Sequence, residues 1–420
     1  MQHIDLVEER IYTPSEHGLA LERIDNHALY VMEKLRQAGY VAYLVGGSVR
    51  DLLLDKKPKD FDISTSAKPE EIKAVFRNSI LVGRRFRLAH VRFGQKVLEV
   101  STFRSGNIEN EELILRDNQW GYPEEDALRR DFTINGLFYD SANQTIIDYV
   151  GGFEDIKKKS LRTIGQPFVR FKQDPVRMIR LLKFRARFGF DIDPDAHIAL
   201  LECRSEIVKS APARVLEELL RMLESGAAQP FIQLMADHGL LGHLLPLLAQ
   251  FIEKSSGSDI YSYLQEVDSQ IHDPSAPRHD RATLLTCLIY PLFEQRINER
   301  FIARGTIPHL GQIHVEALHL LDEFFHGFFQ LPRRFRVSVS NILTSQYRLT
   351  PIEKRKGTRR RVPKDPDFHL ALDFLGLRSC IEPGLQVVLE EWRAGQTAPE
   401  GEQQAAPARK RRRRRRRSGP

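Results

Sequence analysis

Four short stretches in the first third of the chain carry residue types suited to phosphate and metal chemistry. GGSVRD (46–51) follows an apolar strand pattern. Two glycines let backbone approach a ligand closely, and free N–H groups at a helix start hold phosphate. Arg50 adds a charge-assisted donor. DFD (60–62) follows. Alternation puts Asp60 and Asp62 on one strand face, ~7 Å apart along the strand, with Phe61 and Ile63 buried on the other. The pair reads either as the solvated face of an ordinary strand or as carboxylates that share a divalent metal. Unpaired, they would repel and raise each other's pKa. In KVLEVSTF (96–103), Glu99 shares a face with Val97, Ser101 and Phe103, opposite Leu98, Val100 and Thr102. A Glu facing inward there is costly unless paired or bound to metal. In RRDFTIN (129–135), Arg129 and Arg130 can grip a triphosphate bidentately. Asp131 suits a ribose hydroxyl, a metal or a helix cap, and Asn135 suits sugar or phosphate.

These stretches need a scaffold. Ile24, Ala28, Val31 and Leu35 form one stripe of an amphipathic helix over 22–38, ended by Gly39. VAYLVGG (41–47) predicts a strand, SVRDLLLDKK (48–57) a helix start and DFDIST (60–65) a second strand. KPEEIKAVF (68–76) predicts a helix opened by Pro69 and first-turn acids. LAHVRF (88–93) and KVLEVSTF predict a hairpin around Gly94-Gln95. From Gly165 onward the period is helical: 174–188, 213–225, 230–254, 281–295 and 315–331, with a loop at SSGSD (255–259). The expected fold is α+β at the N-terminus, a mixed and mostly antiparallel sheet with helices, followed by an all-α neck and body. The divisions are an N-terminal extension (1–20), a head (21–152), a helical neck (153–229), a helical RNA-binding body (230–393) and a disordered Arg-rich tail (394–420).

Composition is that of a soluble globular chain, and 420 residues exceed a single core. Neither a signal-peptide start nor a run approaching ~20 apolar residues is present, which points to the cytoplasm. Cys203, Cys287 and Cys380 stand apart in apolar contexts and are expected to be buried thiols without zinc spacing. The net charge of +7 is unevenly placed. Residues 401–420 hold nine cations (Arg409 to Arg417, one of them Lys410) against Glu402, so the other 400 residues sum to −1. Such a run should stay disordered and bind a polyanion with strong salt dependence, through residues such as Arg411, Arg412, Arg413, Arg414 and Arg415.

GGSVRD, DFD, RRDFTIN and DYVGGFEDI (148–156), in that order, resemble the class II branch of the DNA polymerase β-like nucleotidyltransferases, over roughly residues 30–225. That branch holds the bacterial poly(A) polymerases and the CCA-adding tRNA nucleotidyltransferases. The resemblance implies a nucleotidyltransferase head and magnesium-dependent transfer of a nucleotide to an RNA 3′ end. It implies that Asp60 and Asp62 hold two Mg2+ ions, and that Gly46, Gly47 and Arg50 contact the triphosphate. Arg129, Arg130, Asp131 and Asn135 would contact nucleotide sugar and phosphates. The third catalytic carboxylate is Glu99 or Asp131. Strand geometry favours Glu99, and Asp131 is kept as a site residue.

Asp174-Pro175 reads as a helix cap followed by a first-turn proline. In the resembled family a Glu-Asp-x-x-Arg motif reads base edges here, which implies that Asp174, Arg177 and Arg180 bind the nucleotide. Gln173 stands where the family has Glu, one charge fewer. LVGRRFRLAHVRF (81–93), DNQWGYPEEDALRRDF (117–132) and the basic C-terminal extension resemble bacterial poly(A) polymerases in particular. The implied activity is template-independent transfer of AMP from ATP to RNA 3′ ends of low sequence specificity, with CCA addition as the alternative. KRKGTRRR (354–361) is a second basic stretch, and His279-Asp280 lacks the partner histidines of a phosphohydrolase.

Overall fold

The structure, a computed structural model, describes residues 9–83, 87–105, 119–255, 257–353, 363 and 365–397. The basic stretch at 354–361, Arg84 and Arg85 of LVGRRFRLAHVRF and the arginine run at 409–417 lie outside the described residues.

The N-terminal part is built on an eight-stranded sheet: β1 (Arg10–Tyr12), β2 (Ala42–Val45), β3 (Asp62–Thr65), β4 (Ser79–Val82), β5 (Leu88–Phe93), β6 (Lys96–Thr102), β7 (Leu137–Asp140) and β8 (Thr145–Asp148). Their order is β1-β8-β7-β2-β3-β6-β5-β4. Every pairing is antiparallel except β3 with β6, whose register sets Ile63 beside Val100. The expected hairpin is present, with Phe93 opposite Lys96. Residues 10–12, read from sequence as part of an extension, instead pair with β8 and form one edge of the sheet.

The predicted first helix spans Asn26–Gln37, capped by Asp25, which accepts the His27 N–H at 2.9 Å. Its stripe of Ala28, Val31, Met32 and Leu35 is fully buried. Helices also form at Gly47–Leu53, Pro69–Val75 and Pro123–Leu128. A second cluster, Val45, Phe103, Ala127, Phe138, Ile147, Val150 and Ile164, fills the other side of the sheet. Burying such side chains contributes about 1.5–3 kcal/mol each.

Helices dominate after Gly165, but with different breaks. Val176–Phe188 and Pro212–Leu223 match their predicted spans closely. The expected single run over 230–254 is three helices, Ala228–Asp237, Leu240–Leu244 and Pro246–Ser255. Gly239 in the left-handed region (φ 75°) and Pro246 interrupt it. By internal contacts the chain divides into two compact units: Met1–Ala276 with Asp322–Leu331, and Pro277–Leu321 with Pro332–Pro420.

The second unit contains the helices Arg281–Arg300, Arg333–Leu349, Phe368–Ile381 and Gln386–Thr397. Leu349, Phe368, Leu372, Leu375, Leu389 and Trp392 pack as one core, and the Trp392 indole donates to the Leu349 carbonyl at 3.1 Å. Asp280 of the His-Asp pair is a helix cap, accepting the Ala282 N–H at 2.8 Å. Cys203 and Cys287 are buried as expected, whereas Cys380 is exposed. Among the described residues no helix is long and apolar enough to cross a membrane.

Candidate active site

The acidic side of the site begins where β2 and β3 meet. Asp62 is the first residue of β3 and pairs with Val45, immediately before the glycine turn. Its neighbour on the other side is β6, which carries Glu99. Ser64 and Ser101, two residues further along, touch through their hydroxyls at 3.0 Å, so the side chains of 62 and 64 share a face with those of 99 and 101. Burial, then the charges of Glu99 and Asp60, push the Asp62 carboxyl up to about 6, while Arg130 pulls the other way. Both Glu99 and Asp60 thus act on Asp62, and Arg130 stands close enough to offset part of the charge.

Ile63 is fully buried beneath this face, but Phe61 is only half-buried and Asp60 precedes the strand and is exposed. Glu99 was expected to face inward among its neighbours. Its side chain is 53% exposed, with Oε1 3.5 Å from His90 Nε2. The alternation is as read, but the face is exposed at Glu99 while Ser64 on the same face is fully buried. Among the described residues no three or more His, Cys, Asp or Glu side chains come together closely enough to hold a metal ion by themselves. An all-carboxylate set that leaves room for phosphate oxygens is the arrangement Mg2+ favours.

The glycine turn needs its first glycine. Gly46 adopts φ 66° and ψ −125°, and a Cβ there would stand 2.9 Å from Arg130 Nη1. Ser48 ties the turn back, donating to the Val45 carbonyl at 2.9 Å.

Arg50, expected at the triphosphate, points inward instead. It is 4% exposed. Its Nη2 donates to Asp51 Oδ1 at 2.6 Å and its Nη1 to Asn135 Oδ1 at 2.5 Å. The guanidinium also lies over the rings of Phe188 (4.7 Å) and Phe184 (5.1 Å). In this structure Arg50 holds other site residues rather than presenting itself to a ligand.

Arg129 and Arg130 emerge together from the end of the helix Pro123–Leu128 and share one counter-ion. Asp126, wholly buried, accepts from Arg129 Nη2 at 2.5 Å and Arg130 Nη2 at 2.8 Å. Burial works to raise the Asp126 carboxyl, but Arg130 and Arg129 hold it below its ordinary value. Sequence reasoning missed Asp126. The signal is its spacing three and four residues before the arginines, which places all three on one helical face.

Asp131 is buried and held by its own partners. Its Oδ1 accepts the Phe132 N–H at 2.9 Å and the Asn135 amide at 3.0 Å, and its Oδ2 pairs with Arg180 Nη1 at 2.9 Å. Burial would raise this carboxyl, yet Arg180, the Asn135 amide and Arg177 keep it low. Glu99, and not Asp131, is among the charges that act on Asp62.

The DYVGG stretch supports this turn from beneath. Asp148, fully buried, accepts the N–H groups of Val150, Gly151, Gly152 and Phe153 at 2.8–3.1 Å. A Cβ on Gly152 would lie 2.1 Å from the Thr133 carbonyl oxygen, and Thr133 donates to Asp155 at 2.6 Å. These contacts fix Thr133 to Asn135 from below.

Asp174 does not cap the helix Val176–Phe188. It ends the preceding helix, Pro167–Gln173, and its carboxylate accepts from Arg214 at 3.2 and 2.9 Å. Arg214 was not anticipated, because it comes from a separate helix, Pro212–Leu223. Arg177 is 6% exposed and donates to the carbonyls of Arg170 (3.1 Å) and Arg129 (3.5 Å). Arg180 pairs with Asp131 and approaches Glu218 at 3.9 Å.

Residues 42–162 match the family model of the Poly A polymerase head domain. Residues 189–252 match the probable RNA and SrmB-binding site of polymerase A, and 319–419 the polymerase A arginine-rich C-terminus. Poly(A) polymerase I of Escherichia coli O6:H1 is 36% identical over 396 residues, covering 90% of this chain and 83% of the relative. That of Haemophilus influenzae is 35% identical, with 94% and 90% covered. A CCA-adding enzyme of Geobacillus stearothermophilus is 37% identical over 218 residues, 52% of this chain and 54% of that one. The solved Bacillus stearothermophilus CCA-adding enzyme in complex with CTP superposes with TM-score 0.61 at 26% identity, covering 88% of this chain and 81% of that chain.

Proposed function

Because this chain belongs to the poly(A) polymerase family of nucleotidyltransferases, we propose that it extends RNA 3′ ends with AMP from ATP, without a template and with release of pyrophosphate. The observation that carries this reading is the strand face that Asp62 and Glu99 share, marked by the Ser64–Ser101 hydroxyl contact at 3.0 Å, with Asp62 paired to Val45 just before the glycine turn, where a Cβ on Gly46 would stand 2.9 Å from Arg130 Nη1. This supports acidic groups acting beside a candidate phosphate grip. Similarity to poly(A) polymerases over nine-tenths of the chain, against about half for CCA-adding enzymes, supports the choice between the two.

The carboxylates suit a hard divalent cation: all donors are oxygens, and their negative charge is only partly offset by Arg130. Two Mg2+ ions held at Asp60 and Asp62 would supply charge against the triphosphate and lower the pKa of the attacking hydroxyl. Arg129 and Arg130, already held by Asp126, orient the triphosphate beside the Gly46–Gly47 backbone. The RNA 3′-oxygen bonds to the α-phosphorus as the bond to the β-phosphate breaks, and the hydroxyl proton passes to Glu99. Pyrophosphate leaves with the bonding pair, its charge stabilised by the two arginines. Asp131 and Asn135, joined to Arg50 in one buried brace, back the ribose end of the site rather than touching the sugar. Asp174, Arg177 and Arg180 lie at the base end.

An aspartate acceptor beside an arginine donor fits the amino group and ring nitrogen of adenine. Cytosine offers the same pair. That ambiguity is the specific observation favouring CCA addition as the second reading.

Asp60→Asn and Asp62→Asn, assayed for AMP incorporation into an RNA oligomer, test the assignment. Each is expected to lose transfer while retaining RNA affinity. A variant with near-normal rate contradicts the metal and catalytic roles.

A further inference from the structure

The largest fully buried side chain of the described residues is an arginine outside every motif considered above. Arg170 is 1% exposed, on the helix Pro167–Gln173. Its Nη2 donates to two successive carbonyls, Arg129 at 2.8 Å and Arg130 at 2.6 Å. Its Nη1 donates to Gln173 Oε1 at 2.9 Å, and its own carbonyl accepts from Arg177 Nη1 at 3.1 Å. Gln173 is 2% exposed. The residue that departs from the family motif therefore faces the interior and holds Arg170, one position before Asp174.

A guanidinium presents its donors in a rigid fork, so it fixes the angle as well as the distance between the groups it bridges. Here one end of the fork holds the backbone from which Arg129 and Arg130 project. The other end holds the turn that carries Asp174 and Arg177. ATP must satisfy both ends at once, so the spacing between them governs how well the two halves of the nucleotide bind together.

We propose that Arg170, seated by Gln173, is a positioning residue that sets the distance between the triphosphate grip at Arg129–Arg130 and the base-reading turn at Asp174–Arg177. The inference rests on the reading that ATP is the substrate. Arg170 touches neither base nor phosphate. It links two subsites, and its loss weakens ligands that span both while sparing ligands that fill one.

The experiment compares wild type with Arg170→Lys, Arg170→Met and Gln173→Met in the full-length protein. Each is measured for ATP kinetics on an RNA oligomer and for inhibition by adenosine and by inorganic tripolyphosphate. Arg170→Lys is expected to raise KM for ATP about tenfold, with a smaller change in kcat. Both inhibition constants should stay within about threefold of wild type. Arg170→Met should lose more than Arg170→Lys, since lysine keeps one carbonyl contact. Gln173→Met should shift KM for ATP in the same direction by about threefold, and it provides the test if Arg170→Met does not fold.

Equal weakening of tripolyphosphate and ATP would overturn the proposal, because Arg170 would then serve the phosphate loop alone. Unchanged ATP kinetics would overturn it as well. Failure of wild type to incorporate AMP at all would instead sink the substrate reading, so the two failures are separable.

Discussion

Arg50 Nη1 donates to Asn135 Oδ1 at 2.5 Å, joining the helix after the glycine turn to the last residue of RRDFTIN. The contact lies 85 residues apart in sequence and is fully buried. It continues as a chain: Asp51 accepts from Arg50, and Asn135 donates to Asp131, which pairs with Arg180. Two stretches that each read as ligand contacts are thus parts of one internal brace.

Removing the middle of that brace should be costly. Arg50→Met strands Asp51 and the Asn135 amide oxygen, and breaking one partner of a buried ion pair costs about 3–5 kcal/mol. Chemical denaturation should show a loss of that order, together with reduced transfer. A loss below about 0.5 kcal/mol, within the range of ordinary surface substitutions, would mean Arg50 is not structural.

The acidic face predicts a pH and metal dependence of stability. The Asp62 carboxyl is raised to about 6 in the folded protein. The folded state therefore keeps its proton where the unfolded chain has lost it, and stability falls as pH rises from the ordinary aspartate range through about 6. At pH 7.5 in EDTA, Asp62→Asn should melt higher than wild type even though it is inactive. Added Mg2+ should raise the wild-type Tm and leave that of Asp62→Asn nearly unchanged. A wild-type Tm insensitive to Mg2+ would count against metal binding there.

Two glycines should resist alanine for different reasons. Gly46→Ala meets a left-handed φ of 66° and a contact of 2.9 Å with Arg130 Nη1, the tip of a side chain. It should cost about 1–3 kcal/mol and raise KM for ATP by displacing Arg130. Gly152→Ala meets the Thr133 backbone at 2.1 Å, which has no side-chain freedom to yield. Its cost should be about 3 kcal/mol or more, read in the denaturation midpoint.

Much of the scaffold was legible because local pattern and tertiary structure agree. The stripe of Ala28, Val31 and Leu35, the hairpin at 88–102 and the single-face placement of Asp62, Ser64, Glu99 and Ser101 all follow from periodicity. What periodicity lacks is knowledge of which half of a face is covered. Glu99 was therefore given the correct side and the wrong exposure. Asp174-Pro175 looked like a helix start, but the partner that claims Asp174 is Arg214, from a helix no local signal connects to it. Arg50 shows the same limit. A charged residue after a glycine pair suggests a phosphate, and only the long-range partner Asn135 reveals the inward role.

The cations at 409–417 predict a salt signature. Deleting them should weaken binding of an RNA oligomer most at low salt, flatten the dependence of log K on log salt, and spare turnover on saturating primer. Unchanged affinity would assign the tail another purpose.

The most direct test of the central claim is the length and template range of the product. The purified protein is given Mg2+ with either an unstructured RNA oligomer and ATP alone, or a tRNA lacking its CCA end with CTP plus ATP. Long ladders of AMP additions on the unstructured RNA, requiring Asp62, are the predicted result. Extension confined to the tRNA and stopping after three nucleotides would contradict it.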